Sequence, residues 1–265
     1  MFESLILGAV QGIAEWLPVS SEAMVVLVKS NFFGGGSFSD LINLAIFLHL
    51  GTLLSVVFYY RTKLITLVRQ FFHYRSLDTS DRRTLNFLAI ATVISGILGI
   101  LLLKVIEANE HLFSNQVVVN LSVSGFLFLT ALLLFISEKN SNKIPAPLSA
   151  GRAIITGLFQ GLAAIPGVSR SGSTVAGMGI IGINKEQALE LSFLLSIPIV
   201  LGANIILNLD TVNILGISEL VALASAFVFG LLTIDILLKV VRRVRFSSFV
   251  AVFACILLIA TIMVQ

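Results

Sequence analysis

The sequence predicts an all-α integral membrane protein of about six transmembrane helices, with two re-entrant helix–loop–helix hairpins arranged as an inverted-topology repeat. Three observations carry that expectation: the composition, the spacing of apolar runs, and two similar interrupted segments. Of 265 residues, 57% are hydrophobic and 12% charged, and the mean hydropathy is +1.03. A soluble domain carries roughly 25% charged residues, so this chain lacks the charge to cover a water-facing surface. The net charge of +3 is too small for a nucleic-acid footprint, and no nucleic-acid partner is expected. Cys255 is the one cysteine, which excludes an internal disulfide framework and a cysteine-rich metal site.

A hydrocarbon core of about 30 Å needs about 20 apolar helical residues. Six segments meet that length: Leu41–Tyr60, Leu85–Leu103, Val117–Ser137, Ala188–Leu207, Leu220–Leu238 and Phe249–Val264. Their basic connectors are Arg61–Arg83, Lys139–Arg152 and Lys239–Arg245. These place thirteen Lys and Arg on one side against two, Lys29 and Lys104, on the other. By the positive-inside rule the thirteen-rich side is cytoplasmic, so both termini lie outside. Met1–Val28 has no basic leader region and is broken by Gln11, Glu15, Pro18, Ser20, Ser21 and Glu22, so it reads as mature structure rather than as a signal peptide.

Residues 1–30 and 151–182 are apolar but interrupted at mid-length by Pro, Gly and hydroxyls. A broken helix facing lipid leaves backbone groups unpaired at several kcal/mol each, so both segments are expected to dip into protein as re-entrant hairpins. Gln11-Gly12-Ile13-Ala14-Glu15-Trp16-Leu17-Pro18-Val19-Ser20-Ser21 aligns without gaps on Gln160-Gly161-Leu162-Ala163-Ala164-Ile165-Pro166-Gly167-Val168-Ser169-Arg170. Each is followed by a span carrying a Phe-Leu pair, Phe47-Leu48 and Phe193-Leu194. One membrane domain, 1–265, is thus expected to contain repeat one, 1–137, and repeat two, 151–265. Three spans lie between the motifs, so the second enters from the opposite face, and the two tips are expected to meet near the midplane.

The second tip, Ser169-Arg170-Ser171-Gly172-Ser173-Thr174, has the features of an anion cradle: glycine for close approach, a helix N-terminus, hydroxyl donors and a guanidinium. The competing explanation is helix capping by the hydroxyls and an arginine reaching for a headgroup. An arginine at the centre of a span costs about 2.5 to 3.5 kcal/mol, which favours a functional role. In the first tip, Gln11 and Glu15 share a helix face. Glu15 is suited to hold a hard divalent cation, Mg²⁺ or Ca²⁺, to act as a base, or simply to neutralise Arg170. Ser20 joins the substrate-binding set; Ser21 is a nucleophile or a donor to phosphate. Glu22 and His49 are candidate proton shuttles, with a water-filled mouth for Glu22 and a helix-to-helix hydrogen bond for His49 as the alternatives. Trp16 shields the carboxylate or packs in the core, and His73 and His111 are expected in loops.

These motifs resemble the bacitracin-resistance family of undecaprenyl-pyrophosphate phosphatases, over nearly the whole chain. The resemblance implies hydrolysis of a polyprenyl diphosphate to the monophosphate and inorganic phosphate, recycling a lipid carrier for envelope glycans. It also implies a plasma-membrane site opening outward, dependence on a divalent metal, and Glu15, Ser21 and Arg170 as the catalytic set. One departure stands out: the family continues its first motif as Ser-Ser-Thr/Ser-Gly-His, whereas this chain reads Ser20-Ser21-Glu22-Ala23-Met24, with no histidine. The other functions weighed are a polyprenyl-phosphate carrier or flippase without hydrolysis, since inverted repeats also mark transporters, and a scaffold. Membrane lipid is a partner in all three, and a homodimer is compatible with the sequence.

Overall fold

Apolar runs separated by capped polar turns give eleven α-helices among the described residues. The computed structural model describes residues 1–34, 38–109, 116–140, 147–207, 216–240 and 245–263. The first hairpin is α1 (Phe2–Ala14) and α2 (Ser21–Phe32); α3 (Phe38–Tyr59), α4 (Arg61–Phe72), α5 (Thr79–Ala108) and α6 (Gln116–Asn140) follow. The second hairpin is α7 (Ala150–Gly161) and α8 (Arg170–Ile180), joined by a 3-10 turn and followed by α9 (Lys185–Leu207), α10 (Ile217–Val240) and α11 (Phe246–Met263). Five of these, α3, α5, α6, α9 and α10, are long and apolar enough to cross a bilayer. The sixth expected span is α11, a shorter apolar helix of 18 residues; Val264 and His111 lie outside the described residues.

The helix starts are set by short polar side chains. Ser20, Asp78, Ser149 and Ser169 are N-caps, accepting from the N–H of Ala23, Asp81, Arg152 and Gly172, which satisfies one of the orphan donors of each first turn. The connector 61–83 is more ordered than its charge suggests. It contains α4, whose Ile65, Val68, Phe71 and Phe72 remain exposed beside Arg61, Lys63 and Arg69. Its three-to-four-residue apolar spacing was visible in the sequence. Lys63 pairs with Glu190, tying α4 to the start of α9.

Packing follows a reciprocal pattern. In the first hairpin α1 lies along α10, in the second α7 lies along α5, and α6 packs on α11. Close approach in both hairpins depends on glycines four apart. A Cβ at Gly12 would stand 2.7 Å from the Ala226 carbonyl oxygen, and one at Gly157 2.7 Å from that of Ala91. Gly8 and Gly161 are the matching partners. Small residues at this spacing let helix backbones touch where lipid offers no hydrophobic drive for association. Gly12→Ala is therefore expected to destabilise the fold by about 1 to 3 kcal/mol through overpacking. Thermal unfolding in detergent followed by circular dichroism should show the lowered midpoint, and an unchanged midpoint would refute the close-contact role.

The core centres on Trp16, Phe193, Leu127, Leu134, Met178 and Leu195, all fully buried. Trp16 meets Phe193 edge to face at 5.0 Å between centroids. At the far end of α6, Glu138 accepts from the backbone N–H (3.2 Å) and hydroxyl (2.5 Å) of Ser247, fixing the entry of α11. Large apolar side chains such as Val93, Ile97 and Leu101 of α5 point outward, as expected of a chain whose solvent is hydrocarbon.

Candidate functional site

Both hairpins break where the aligned motifs place Pro18 and Gly167. After each break a serine, Ser20 or Ser169, caps the next helix. Gly167 takes φ +98 and its Cα lies so close to α6 that a Cβ would sit 2.8 Å from the Val123 Cα. Breaking the first helix frees the carbonyls of Leu17 and Val19, and the second hairpin supplies the donors. Ser171 Oγ donates to the Leu17 carbonyl at 2.7 Å and Ser169 Oγ to that of Val19 at 3.1 Å. The tips thus dock through hydrogen bonds between residues some 150 apart in sequence, and two of the carbonyls freed by the break are satisfied within the protein.

Docking brings Glu15 to Arg170. The two form an ion pair through Glu15 Oε1 and Arg170 Nη2, with side-chain exposures of only 3% and 14%. Arg170 is held in place by a second bond, Nη1 to the Ser192 carbonyl of α9 at 3.2 Å, and its Cζ lies 5.7 Å from the centroid of the Trp16 ring. Trp16 therefore packs in the core and also flanks the guanidinium.

The other carboxylate oxygen, Glu15 Oε2, receives three groups: Gln11 Nε2 at 2.9 Å, Ser21 Oγ at 2.6 Å and His49 Nε2 at 3.0 Å. His49 Nδ1 stands 2.6 Å from the Ala45 carbonyl of its own helix. A carbonyl only accepts, so Nδ1 carries a hydrogen; Nε2, the nitrogen turned to the site, donates to Glu15 when the ring is protonated and accepts from Ser21 only when it is neutral. Ser21 Oγ and His49 Nε2 are 3.5 Å apart. Of the two readings of His49, the geometry brings the ring into the Glu15–Ser21 cluster; its partner on its own helix is the carbonyl that orients it.

These side chains wall a cavity of about 360 Å³, with Glu15, Ser20, Ser21, Glu22, His49, Arg170 and Ser171 at its polar end. The N-termini of α2 and α8 meet there. Their first-turn N–H groups have no intrahelical acceptor, and their dipoles favour an anion. The other predicted substrate-binding residues stand behind this wall. Ser173 and Thr174 donate back to the Arg170 carbonyl at 3.3 and 2.6 Å. Ser169 is spent on capping and docking. Gly172 is a packing position, where a Cβ would come within 2.7 Å of Thr130 Cγ2. Gln11 is fully buried and braces Glu15. The cradle is thus narrower than its hydroxyl count suggested, because helix caps and docking bonds use most of the donors.

Among the described residues no three His, Cys, Asp or Glu side chains stand together as a metal cage. Glu15 Oε2 accepts from Gln11 and Ser21 with His49 Nε2 beside it, and Oε1 faces the Arg170 guanidinium. As arranged, both Glu15 oxygens are engaged by neighbouring side chains, and Glu22 and His49 line the same cavity. Met24, in the family's histidine position, packs against the apolar core. His73 caps the end of α4.

The chain is similar to known proteins over nearly its whole length. The family model described as bacitracin resistance protein BacA matches residues 4–260. The chain is 39% identical over 254 residues to an undecaprenyl-diphosphatase of Methanococcoides burtonii, covering 93% of each protein. It is 37% identical over 262 residues to one of Haloarcula marismortui, covering 94% of this chain and 93% of the relative. The undecaprenyl-diphosphatase 1 of Shouchella clausii is 37% identical over 240 residues, 86% of this chain and 82% of the relative. With that coverage, and with both motifs docked on each other, the chain belongs to the bacitracin resistance protein BacA family of multi-pass membrane proteins.

Proposed function

We propose that this protein hydrolyses a polyprenyl diphosphate of the undecaprenyl type to the monophosphate and inorganic phosphate, returning the lipid carrier to use. The observation that carries the proposal is the docking of Glu15 and Arg170, from hairpins distant in sequence, at the polar end of one membrane-embedded cavity. Relatives named undecaprenyl-diphosphatase support it.

In this mechanism the terminal phosphate takes Arg170 and the N-terminal amides of α2 and α8, which stabilise charge as it develops on the equatorial oxygens. Ser21 Oγ attacks the terminal phosphorus while the bond to the bridging oxygen breaks. The Ser21 proton passes to Glu15 Oε2, which already accepts from Oγ, or to Nε2 of the neutral His49 ring, and then to the departing monophosphate. Water hydrolyses the phosphoserine and releases inorganic phosphate. Glu15 orients Ser21 and His49 together, and no step is assigned to a metal.

The basic connectors support an orientation with those loops cytoplasmic and both termini outside, and the family resemblance implies a cavity opening outward. Residues 1–137 and 151–265 are proposed as inverted repeats. Their support is the reciprocal packing of α1 on α10 and α7 on α5, the matching glycine pairs, and Ser20 and Ser169 as equivalent caps.

The test is phosphate release from undecaprenyl diphosphate by purified protein in detergent, with and without chelator. Release is the expected result. Folded protein without release, but moving the lipid across proteoliposomes, would overturn the proposal in favour of a carrier.

A further inference from the structure

The cavity does not end at the polar cluster. It continues between α5 and α9 as an apolar cleft, walled by Ile100, Leu103 and Ile106 on one side and Ala203, Ile206 and Leu207 on the other. Its extent along α5, from Thr92 to Ile106, is about 21 Å of helix. None of the residues lining this stretch of α5 and α9 is charged.

Three glycines lie in this wall, and their surroundings differ from those of the packing glycines. A Cβ on Gly96 or Gly202 would meet no atom within 4 Å, and one on Gly99 only Ala164 Cβ at 4.0 Å. At Gly12, Gly157 and Gly161 the same atom would collide with a neighbouring helix. Glycine in a helix interior is unfavourable by roughly 1 kcal/mol relative to alanine. Where no neighbour needs the room, the open space belongs to something outside the chain. Pro198 also lines the cleft and lies within α9; proline removes a backbone hydrogen bond and bends a helix.

Resting on the polyprenyl-diphosphate reading, we propose that the α5–α9 cleft, kept open by Gly96, Gly99 and Gly202, seats the first isoprene units of the substrate tail and leads the rest into the bilayer. The occupant follows from continuity. The cleft shares one cavity with the phosphate-binding end, so a ligand with its diphosphate on Arg170 has its first apolar units against these walls. A leucine at Gly99 or Gly202 fills the space those units need and makes the cleft, not the phosphate end, the point of discrimination.

Two measurements test this. A prenyl diphosphate carrying a diazirine on its first isoprene units is photolysed with the protein, and adducts are mapped by mass spectrometry. Adducts on α5 and α9 near Ile100, Leu103 and Ile206 are expected. Adducts confined to α6 or α11, or equal labelling of the cleft by a diazirine phospholipid, would overturn the assignment. In parallel, Gly99→Leu and Gly202→Leu are compared with Gly125→Leu, an exposed position on α6 that also has no neighbour within 4 Å and does not line the cavity. The two cleft variants should raise KM for farnesyl diphosphate by at least about tenfold relative to Gly125→Leu. Equal KM values for all three would refute the cleft. A wild-type protein that releases no phosphate would sink the hydrolase reading, while the adduct map would still decide where the tail lies.

Discussion

Arg170→Ala is expected to lower phosphate release by about 10²–10³-fold, the loss typical of removing one donor that meets developing transition-state charge. Among the described residues the guanidinium is the one cation at the polar end of the cavity whose charge does not depend on pH. It is also pre-positioned, by Glu15 and by the Ser192 carbonyl, so little reorganisation is needed when phosphate arrives. Arg170→Lys should be nearly as damaging, because an ammonium cannot span Glu15, Ser192 and a phosphate oxygen at once. The partner position separates chemistry from folding. Glu15→Ala strands a buried guanidinium, and breaking a buried pair in this way costs about 3 to 5 kcal/mol, so stability and activity should fall together. Glu15→Gln keeps the shape and an acceptor for Arg170 but loses the charge that organises Ser21 and His49. It should yield folded protein with little turnover. Phosphate release and thermal unfolding, measured on the same preparations, check both. Turnover within about twofold of wild type in folded Arg170→Ala protein would remove Arg170 from the chemistry.

The reason so much of this site could be read from sequence is energetic. A carboxylate and a guanidinium inside apolar segments must find partners, so Glu15 and Arg170 had to meet. The hairpin breaks were legible for the same reason: Pro18 and the Pro166-Gly167 pair cannot continue a helix, and the following serines are caps. The destinations of the hydroxyls were not legible. Whether Ser171 faces phosphate or the Leu17 carbonyl depends on which backbone groups are freed by a break 154 residues earlier, and local spacing holds no record of that. Nor did the sequence reveal that His49 faces Glu15, since α3 carries apolar side chains on its buried face (Ala45, Leu48, Val56) and its exposed one (Leu54, Phe58) alike, and its rotation is set by packing against α2, α9 and α10. The glycine pairs Gly8/Gly12 and Gly157/Gly161 were plain in the sequence and extend the aligned motif toward its N-terminal side. Their meaning required knowing that α10 and α5 press on them.

His49→Phe is expected to lower kcat by about 10²–10⁴-fold, the range for loss of a positioned acid–base group. The family motif puts a histidine where this chain has Met24, and Met24 is packed into the core rather than lining the cavity. His49 arrives from α3 instead. Its Nδ1 hydrogen is fixed by the Ala45 carbonyl, which presents Nε2 to Ser21 and Glu15, the arrangement of nucleophile, base and orienting group found in activated serines. The 3.5 Å between Ser21 Oγ and Nε2 is long for a proton transfer, but such contacts commonly tighten only when substrate is bound. Non-additivity tests the assignment. If Ser21 and His49 act as one unit, the Ser21→Ala/His49→Phe double variant should be no slower than the worse single variant. If they act independently, the losses should multiply. Met24→Leu, a volume-conserving change outside the cavity, serves as the control and should leave kcat within about twofold. A folded His49→Phe protein with wild-type kcat would leave Glu15 as the acceptor of the Ser21 proton, because it is the other group within reach of that hydroxyl.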